Sequence, residues 1–313
     1  MDLGFLGLGN MGGAIAERLA EAGARLHVFD PNQAVVAAFV DRGAKAYASP
    51  VAVASQASVV FACLPAAAIS AKVAGELAAE TGAMKIYVEM STIGSRALRD
   101  IAEALGSRGV QVVDSPVSGG PKGAKAGTLS VITAGPDDAV AAIRPWLEKI
   151  GGAVFVIGQA PGQAQLMKLV NNLISAANMA TAYEALVLGA KGGLDADMMV
   201  RVINASSGRS GVMETKVPES VLTGSFDYGA RLAIMHKDVV LGLAEADDLG
   251  VPMWAHETIG QLWRFAMTQG RGEDDFTSLI RMMEGWAGAE VRGAGVAGRV
   301  GALPQTPSGG SAP

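Results

Sequence analysis

Short apolar runs alternate with stretches of helical periodicity through the first half of the chain. "LGFLGLG" (3–9) reads as a strand entering a glycine-rich turn, and a helix is predicted from about Met11 to Ala22. "RLHVFD" (25–30) is a second strand, followed by a helix around Asn32–Asp41. "SVVFACL" (58–64), "KIYVEM" (85–90) and "VQVVDS" (110–115) repeat the pattern. "LSVITAG" (129–135) and "AVFVIG" (153–158) extend it, with a helix Asp137–Lys149 between them. Strands alternating with helices imply βαβ units and a parallel, doubly wound sheet, so the fold class is α/β. After about residue 160 the strand signals stop. A long helix then leads into an all-helical second half, with N-caps expected at Asp195 and Asp274. The expected division is a sheet domain over 1–160, an all-α domain over 161–290 opening with the long interdomain helix, and a tail over 291–313. That tail is rich in Gly, Ala and Pro without periodicity and reads as flexible.

Composition narrows the function classes. In 313 residues, 50% are hydrophobic and 18% charged, which excludes a disordered chain. A net charge of −5 offers no basic footprint for nucleic acid and no polybasic patch for anionic lipid. One cysteine, Cys63, and three scattered histidines make neither an internal disulfide nor a zinc pattern, so no metal is expected. "MDLGFLGLGN" has no basic segment of a secretory signal, and no apolar run is read as membrane-spanning. The expectation is a soluble, cytoplasmic protein. Two apolar stretches in the second half, "MATAYEALVLGAKGGL" and "VVLGLAEADDLG", predict packing against a second subunit, giving a homodimer or homotetramer.

The turn after the first strand carries Gly7, Gly9 and Gly12 as G-x-G-x-x-G, enclosing Leu8, Asn10 and Met11. Glycines at this spacing occur in ordinary turns. Here they follow a strand, open a helix and precede a strand ending in Asp30, the context of a Rossmann-type dinucleotide site. Gly7 permits the tight turn, Gly9 lets backbone approach a pyrophosphate, and Gly12 lets helix and strand pack closely. The helix N-terminus offers N–H groups and partial positive charge to the phosphates. Asp30 can accept hydrogen bonds from an adenosine ribose and would repel a 2′-phosphate, and Pro31 and Asn32 follow it instead of Arg. NAD is therefore expected over NADP. "CLP" (63–65), with Leu64 and Pro65, and "MSTIGS" (90–95), with Ser91 and Thr92, leave strands where such a crevice meets its cofactor. "DSPVSGGPKGAKAGTLS" (114–130) presents Ser118, Gly119 and Gly120, a hydroxyl with unshielded backbone N–H groups suited to a carboxylate, or a plain glycine turn.

The helix "GQAQLMKLVNNLISAANMA" (162–180) holds one lysine among small and apolar residues. Gln165, Lys168, Asn172 and Ser175 fall on one face, and no carboxylate stands three or four residues from Lys168. Two readings remain for it: a lysine snorkelling to water, or a proton-transfer group in a cleft.

Taken in order, "GLGNMG", "CLP", "MSTIGS", "DSPVSGG", "GQAPGQAQLMKLVNN" and "HKDVVLGLAEA" resemble the β-hydroxyacid dehydrogenase family over residues 2 to 290. That family includes 3-hydroxyisobutyrate dehydrogenase and tartronate semialdehyde reductase, with 6-phosphogluconate dehydrogenase more distant. The resemblance implies a Rossmann domain, a long interdomain helix, an all-α second domain and NAD(P)-dependent interconversion of a small β-hydroxy acid with its semialdehyde or 3-oxo acid. It implies Lys168 as catalytic base and acid and Asn172 as its orienting partner. Ser118, Gly119 and Gly120 then hold the substrate carboxylate, Thr92 lies near the nicotinamide, Lys237 lies near both substrate and cofactor, and Asp238 supports its helix. A lysine desolvated in an apolar cleft has its pKa lowered, which suits proton abstraction from a hydroxyl. "KD" opening a helix is also common on surfaces. Two positions depart from the family: Ala230 stands where an aromatic is frequent, and Gly211 where a Trp is frequent, which reshapes the substrate end. The acids left open are 3-hydroxyisobutyrate, serine, threonate, glycerate and a sulfonate analogue.

Other readings compete. A histidine-based 2-hydroxyacid dehydrogenase needs a histidine with a carboxylate orienter; His236 and Asp238, two residues apart on a helix, point to different faces. His27 and His256 read as structural. An imine reductase shares the architecture but usually lacks the lysine, and a non-catalytic NAD-binding sensor would usually have lost it.

Overall fold

The computed structural model describes residues 1–296. Among these, nine strands form one sheet: β1 (Asp2–Leu6), β2 (Arg25–Phe29), β3 (Lys45–Ala46), β4 (Val59–Ala62), β5 (Ile86–Glu89), β6 (Gln111–Asp114), β7 (Val117–Ser118), β8 (Leu129–Ala134) and β9 (Gly151–Gly158). The order is β3-β2-β1-β4-β5-β6-β8-β7, with β9 paired to β8. β1 to β6 pair in parallel, joined by helices such as Asn10–Glu21 and Ala67–Ala79. β8 is antiparallel to β6 and β7 and parallel to β9, so the sheet is mixed. The link 119–128 explains the reversal, because a parallel return usually takes a crossover of about a dozen residues or more. β3 and β7 have two residues each, too few to show a period in sequence.

The strands are apolar on both faces because both are covered. Phe5, Phe61, Val88 and Val113 join one core cluster with Ile15 and Leu19. Their neighbours Leu6, Val60, Tyr87 and Val112 join the other with Leu77, Leu98 and Ile101. This is the alternation of a doubly wound sheet, each strand burying successive side chains on opposite sides.

Two compact units divide the chain elsewhere than at residue 160. The first is Met1–Ile174 with Ile234–Gln261, and the second is Ser175–Ala233 with the described residues from Leu262. The helix Gln163–Lys191 serves both. Its first turns belong with the sheet because they pack on the helix Leu232–Leu249, where a Cβ on Gly242 would lie 2.8 Å from Leu173. The second unit is helical, with Ala196–Asn204, Val212–Val221 and Ile280–Ala287 and an isolated bridge between Arg231 and Asp275.

Several local expectations change. Asp195 caps its helix through Met198 N at 2.8 Å, but the second cap is Asp275, which accepts from Thr277 N at 3.0 Å, while Asp274 pairs with Arg271. Gln163–Lys191 is long and apolar enough to cross a membrane, contrary to the sequence reading; its Leu169, Ala176, Met179 and Tyr183 are buried in the protein instead. Residues 291–296 are not loose. Val291 is fully buried, Arg292 pairs with the buried Glu284, and Ala294 N donates to Asp197 at 2.8 Å, ties that apolar composition alone conceals. The rest of the expected tail, 297–313, lies outside the described residues.

Candidate active site

The strand order reverses between β1 and β4, the switch point at which open α/β sheets bind ligands. The loops leaving these strands abut. Gly7 has φ +91, and a Cβ there would lie 2.3 Å from the Cys63 carbonyl oxygen; at Gly12 it would lie 2.0 Å from the Gly7 carbonyl oxygen. Gly9 differs, since a Cβ there meets nothing within 4 Å. The protein's own packing does not demand glycine at Gly9, whereas a phosphate resting on bare backbone would. The helix Asn10–Glu21 begins there with no side-chain cap and no acid in its first turn, leaving its N-terminal partial charge for a ligand. Asp30 accepts from Leu8 N at 2.7 Å and Asn32 N at 2.8 Å, bracing the turn while each oxygen keeps acceptor capacity for a ribose hydroxyl. The turn thus fits a dinucleotide.

Beneath the neighbouring loops lies a buried polar layer. Leu64 N donates to Ser91 Oγ at 2.7 Å, Ser91 N to Glu89 Oε1 at 3.0 Å, and the Tyr87 hydroxyl to Glu89 Oε2 at 3.0 Å. Glu89 and Asp114 are register partners on β5 and β6, and both are fully buried. Burial raises the Glu89 carboxyl above its ordinary range, against the pull of hydrogen bonds from Ser91 and Tyr87. Burial likewise pushes Asp114 up to about 7, opposed by bonds from Gln165 and reinforced by the Glu89 charge. The Cys63 thiol is pushed up to about 12 by burial and then by Glu89, so it is no thiolate nucleophile.

Gln165, on the stripe of Lys168, is the hub. Its Nε2 donates to Ser91 O at 2.9 Å and Asp114 Oδ1 at 2.8 Å, and its Oε1 accepts from Ile93 N at 2.8 Å and Gly94 N at 3.2 Å. Its own N–H donates to Asp114 Oδ2 at 2.9 Å. One turn later Lys168 is 7% exposed, and Asn172, 8% exposed, donates from Nδ2 to Asp238 Oδ2 at 2.6 Å. Asp238 also pairs with Lys237 Nζ at 2.8 Å, and Lys237 donates to Thr92 O at 2.5 Å. Glu245, two turns further along the same helix, accepts from Ser95 N at 2.5 Å.

Thr92, Asn172, Lys237 and Asp238 are thus joined by hydrogen bonds in the unit that holds the glycine turn, and Lys168 stands between Gln165 and Asn172 on its helix. Ser118, Gly119 and Gly120 sit at the end of β7, with φ +130 at Gly119 and +66 at Gly120, values that favour glycine. The orienter that a catalytic His236 would need, Asp238, is already engaged by Asn172 and Lys237. His27 is held between Tyr47 OH at 2.9 Å and Asp2 at 3.0 Å, a structural role. Spacing alone puts Gln165 on the lysine's face without a role, and the sequence gives Glu89, Asp114 and Glu245 no visible link to the site. The three-residue spacing from Lys168 was the one available signal for Gln165.

Comparison with known proteins agrees with this geometry. Residues 2–158 match the NAD binding domain of 6-phosphogluconate dehydrogenase, and residues 162–283 the family described as NAD-binding of NADP-dependent 3-hydroxyisobutyrate dehydrogenase. The chain is 37% identical to 3-hydroxyisobutyrate dehydrogenase of Pseudomonas aeruginosa, over 91% of this chain and 99% of that protein. It is 35% identical to 2-(hydroxymethyl)glutarate dehydrogenase of Eubacterium barkeri, over 94% of this chain and 98% of that one. The solved Mycobacterium tuberculosis 3-hydroxyisobutyrate dehydrogenase with L-serine superposes with TM-score 0.82 at 27% identity, over 90% of this chain and 98% of that one. The imine reductase of Streptomyces aurantiacus, at TM-score 0.62 and 23% identity, shares the fold alone. A switch-point glycine turn, a buried lysine and asparagine one turn apart, and two matched domains in this order have one common source: the chain belongs to the β-hydroxyacid dehydrogenase family.

Proposed function

We propose that the chain interconverts a small β-hydroxy acid and its semialdehyde or 3-oxo acid, with NAD preferred as cofactor and Lys168 moving the proton. The observation that carries this reading is the placement of Lys168 and Asn172 one turn apart on a buried helix face, in the unit that carries the dinucleotide turn. The names of the two relatives support the substrate class, since each describes an acid with a hydroxyl on the carbon β to a carboxylate.

A nicotinamide cofactor held at the glycine turn would supply the hydride acceptor for the carbinol carbon. Lys168, deprotonated, takes the hydroxyl proton as the carbonyl forms, and in the reverse direction its ammonium returns that proton to the developing alkoxide. Asn172, held by Asp238, orients the hydroxyl. Ser118 Oγ and the backbone N–H groups of Gly119 and Gly120 hold the carboxylate. Lys237, tied to the Thr92 carbonyl, supports substrate and nicotinamide from the second helix. Gly7–Gly12 and Asp30 bind the pyrophosphate and ribose, with Leu64, Pro65, Ser91 and Thr92 along the crevice. Exposed Leu188, Leu194, Leu249 and Trp254, at 75%, 61%, 62% and 86%, support a homodimer or homotetramer.

The test is absorbance of reduced nicotinamide for wild type and Lys168→Ala with 3-hydroxyisobutyrate, serine, threonate and glycerate. Wild-type turnover, with kcat lowered at least about a hundredfold in a folded, cofactor-binding variant, is expected. An unimpaired variant overturns Lys168 as the proton-transfer group.

A further inference from the structure

We propose that Gln165 is a positioning residue: its amide sets the loop Ser91–Gly94, which carries Thr92, at a fixed height against the helix turn that carries Lys168. The inference rests on the dehydrogenase reading, in which that loop meets the nicotinamide and that lysine moves the proton. A side-chain amide has two donor hydrogens and two acceptor lone pairs. In Gln165, which is fully buried, all four are used: Nε2 toward Ser91 O and Asp114 Oδ1, and Oε1 toward Ile93 N and Gly94 N. Three of the four bonds go to loop backbone on either side of Thr92. The fourth, with the bond from Gln165's own N–H, anchors the amide on Asp114 at the end of β6, so the hub cannot rotate without breaking bonds at both ends. The Thr92 carbonyl that is left projects to Lys237 Nζ at 2.5 Å.

The loop is therefore held by both helices, through Gln165 on one and Lys237 on the other. Lys168 follows Gln165 by three residues, about 4.5 Å along a helix axis and on the same face. A displacement of the loop from the amide is thus a displacement of the nicotinamide floor relative to the lysine. Chemistry that transfers a hydride and a proton in one geometry loses rate steeply on misplacement of about 1 Å, while affinity, set mainly at the distant glycine turn, changes little. A buried apolar side chain would fill the same space without fixing the loop's height.

The test compares wild type, Gln165→Leu and the near-isosteric Gln165→Glu. The glutamate accepts from Ile93 and Gly94 but when ionised donates nothing to Ser91 or Asp114. Active sites are titrated with NADH, and turnover of 3-hydroxyisobutyrate and L-serine is expressed per NADH site. Expected for either variant that folds is a fall in kcat of at least about tenfold with KM for the acid and Kd for NADH within about threefold, and a larger primary isotope effect from substrate deuterated at the carbinol carbon. Unchanged kcat per NADH site in a variant of lowered Tm reduces Gln165 to a structural residue and overturns the proposal. Absence of wild-type turnover on every acid is instead a failure of the dehydrogenase reading. In that case the fluorescence yield of bound NADH at matched occupancy decides: a change in the variants sustains the positioning role, and identical yields refute it.

Discussion

Asn172 and Asp238 join the two lysine-bearing helices through a 2.6 Å bond from Nδ2 to Oδ2, and the other carboxylate oxygen of Asp238 holds Lys237. The bond lies one turn from Lys168 and one turn from Gly242, where a Cβ would lie 2.8 Å from Leu173. Asp238 thereby orients an asparagine and a lysine together.

Asp238→Ala leaves Asn172 Nδ2 without its acceptor and a half-buried Lys237 with only the Thr92 carbonyl. A loss of about 2–3 kcal/mol in urea unfolding is expected, with Asp238→Asn retaining more stability because its carbonyl still accepts from Asn172. On the proposed reading, kcat is expected to fall in both variants with the orientation of Asn172. Equal stability of alanine variant and wild type would show that the bond adds nothing to the fold.

The glycine turn separates folding from binding. Gly9→Ala places a Cβ in open space at an ordinary φ of −64, so its stability should lie within about 0.5 kcal/mol of wild type while NADH affinity drops at least tenfold. Gly12→Ala drives a Cβ against the Gly7 carbonyl and should lower Tm as well. Calorimetry of unfolding beside NADH titration tells them apart; unchanged NADH affinity in Gly9→Ala would mean that no phosphate rests there.

On the proposed reading, Asp30 favours NAD over NADP. Wild type should show kcat/KM for NAD at least about tenfold above that for NADP, and Asp30→Ser should narrow the ratio. Because Asp30 also braces Leu8, the variant should lose affinity for NAD too. A wild type indifferent to the 2′-phosphate would refute the assignment.

Asp114 gives the fold a pH dependence of definite sign. Unfolded, it releases its proton near 3.8; folded, it keeps it to about 7. Between those values the native state binds more protons than the unfolded state, so the Asp114 contribution declines as pH rises from about 4 to 7 and is level above that, and Glu89 acts in the same direction. Chemical denaturation at pH 5, 6, 7 and 8 should show this slope, of order 1 kcal/mol per unit at most, and Asp114→Asn should flatten it. Parallel profiles for wild type and variant would place the coupling elsewhere.

The exposed leucines of the second unit and Trp254 predict association. Light scattering at micromolar concentration should give a dimer or tetramer, and Leu188→Glu should shift it toward monomer. A wild-type monomer removes the expectation.

Much was legible along the chain because it is local. Apolar alternation marked seven of the strands, the glycine spacing marked the turn between the first strand and helix, and helical periodicity put Gln165, Lys168 and Asn172 on one face; ordered motifs supplied the family. Tertiary structure decided the rest, because the energy of a buried polar group depends on partners distant in sequence. The bond of Asn172 to Asp238 spans 66 positions, that of Gln165 to Ser91 spans 74, and that of Lys237 to Thr92 spans 145. No window of sequence contains both ends. Burial raises the cost of leaving such groups unpaired, so only the folded chain shows that Gln165 is fully bonded, that Glu89 and Asp114 share one buried layer, and that residues 291–296 are pinned rather than loose.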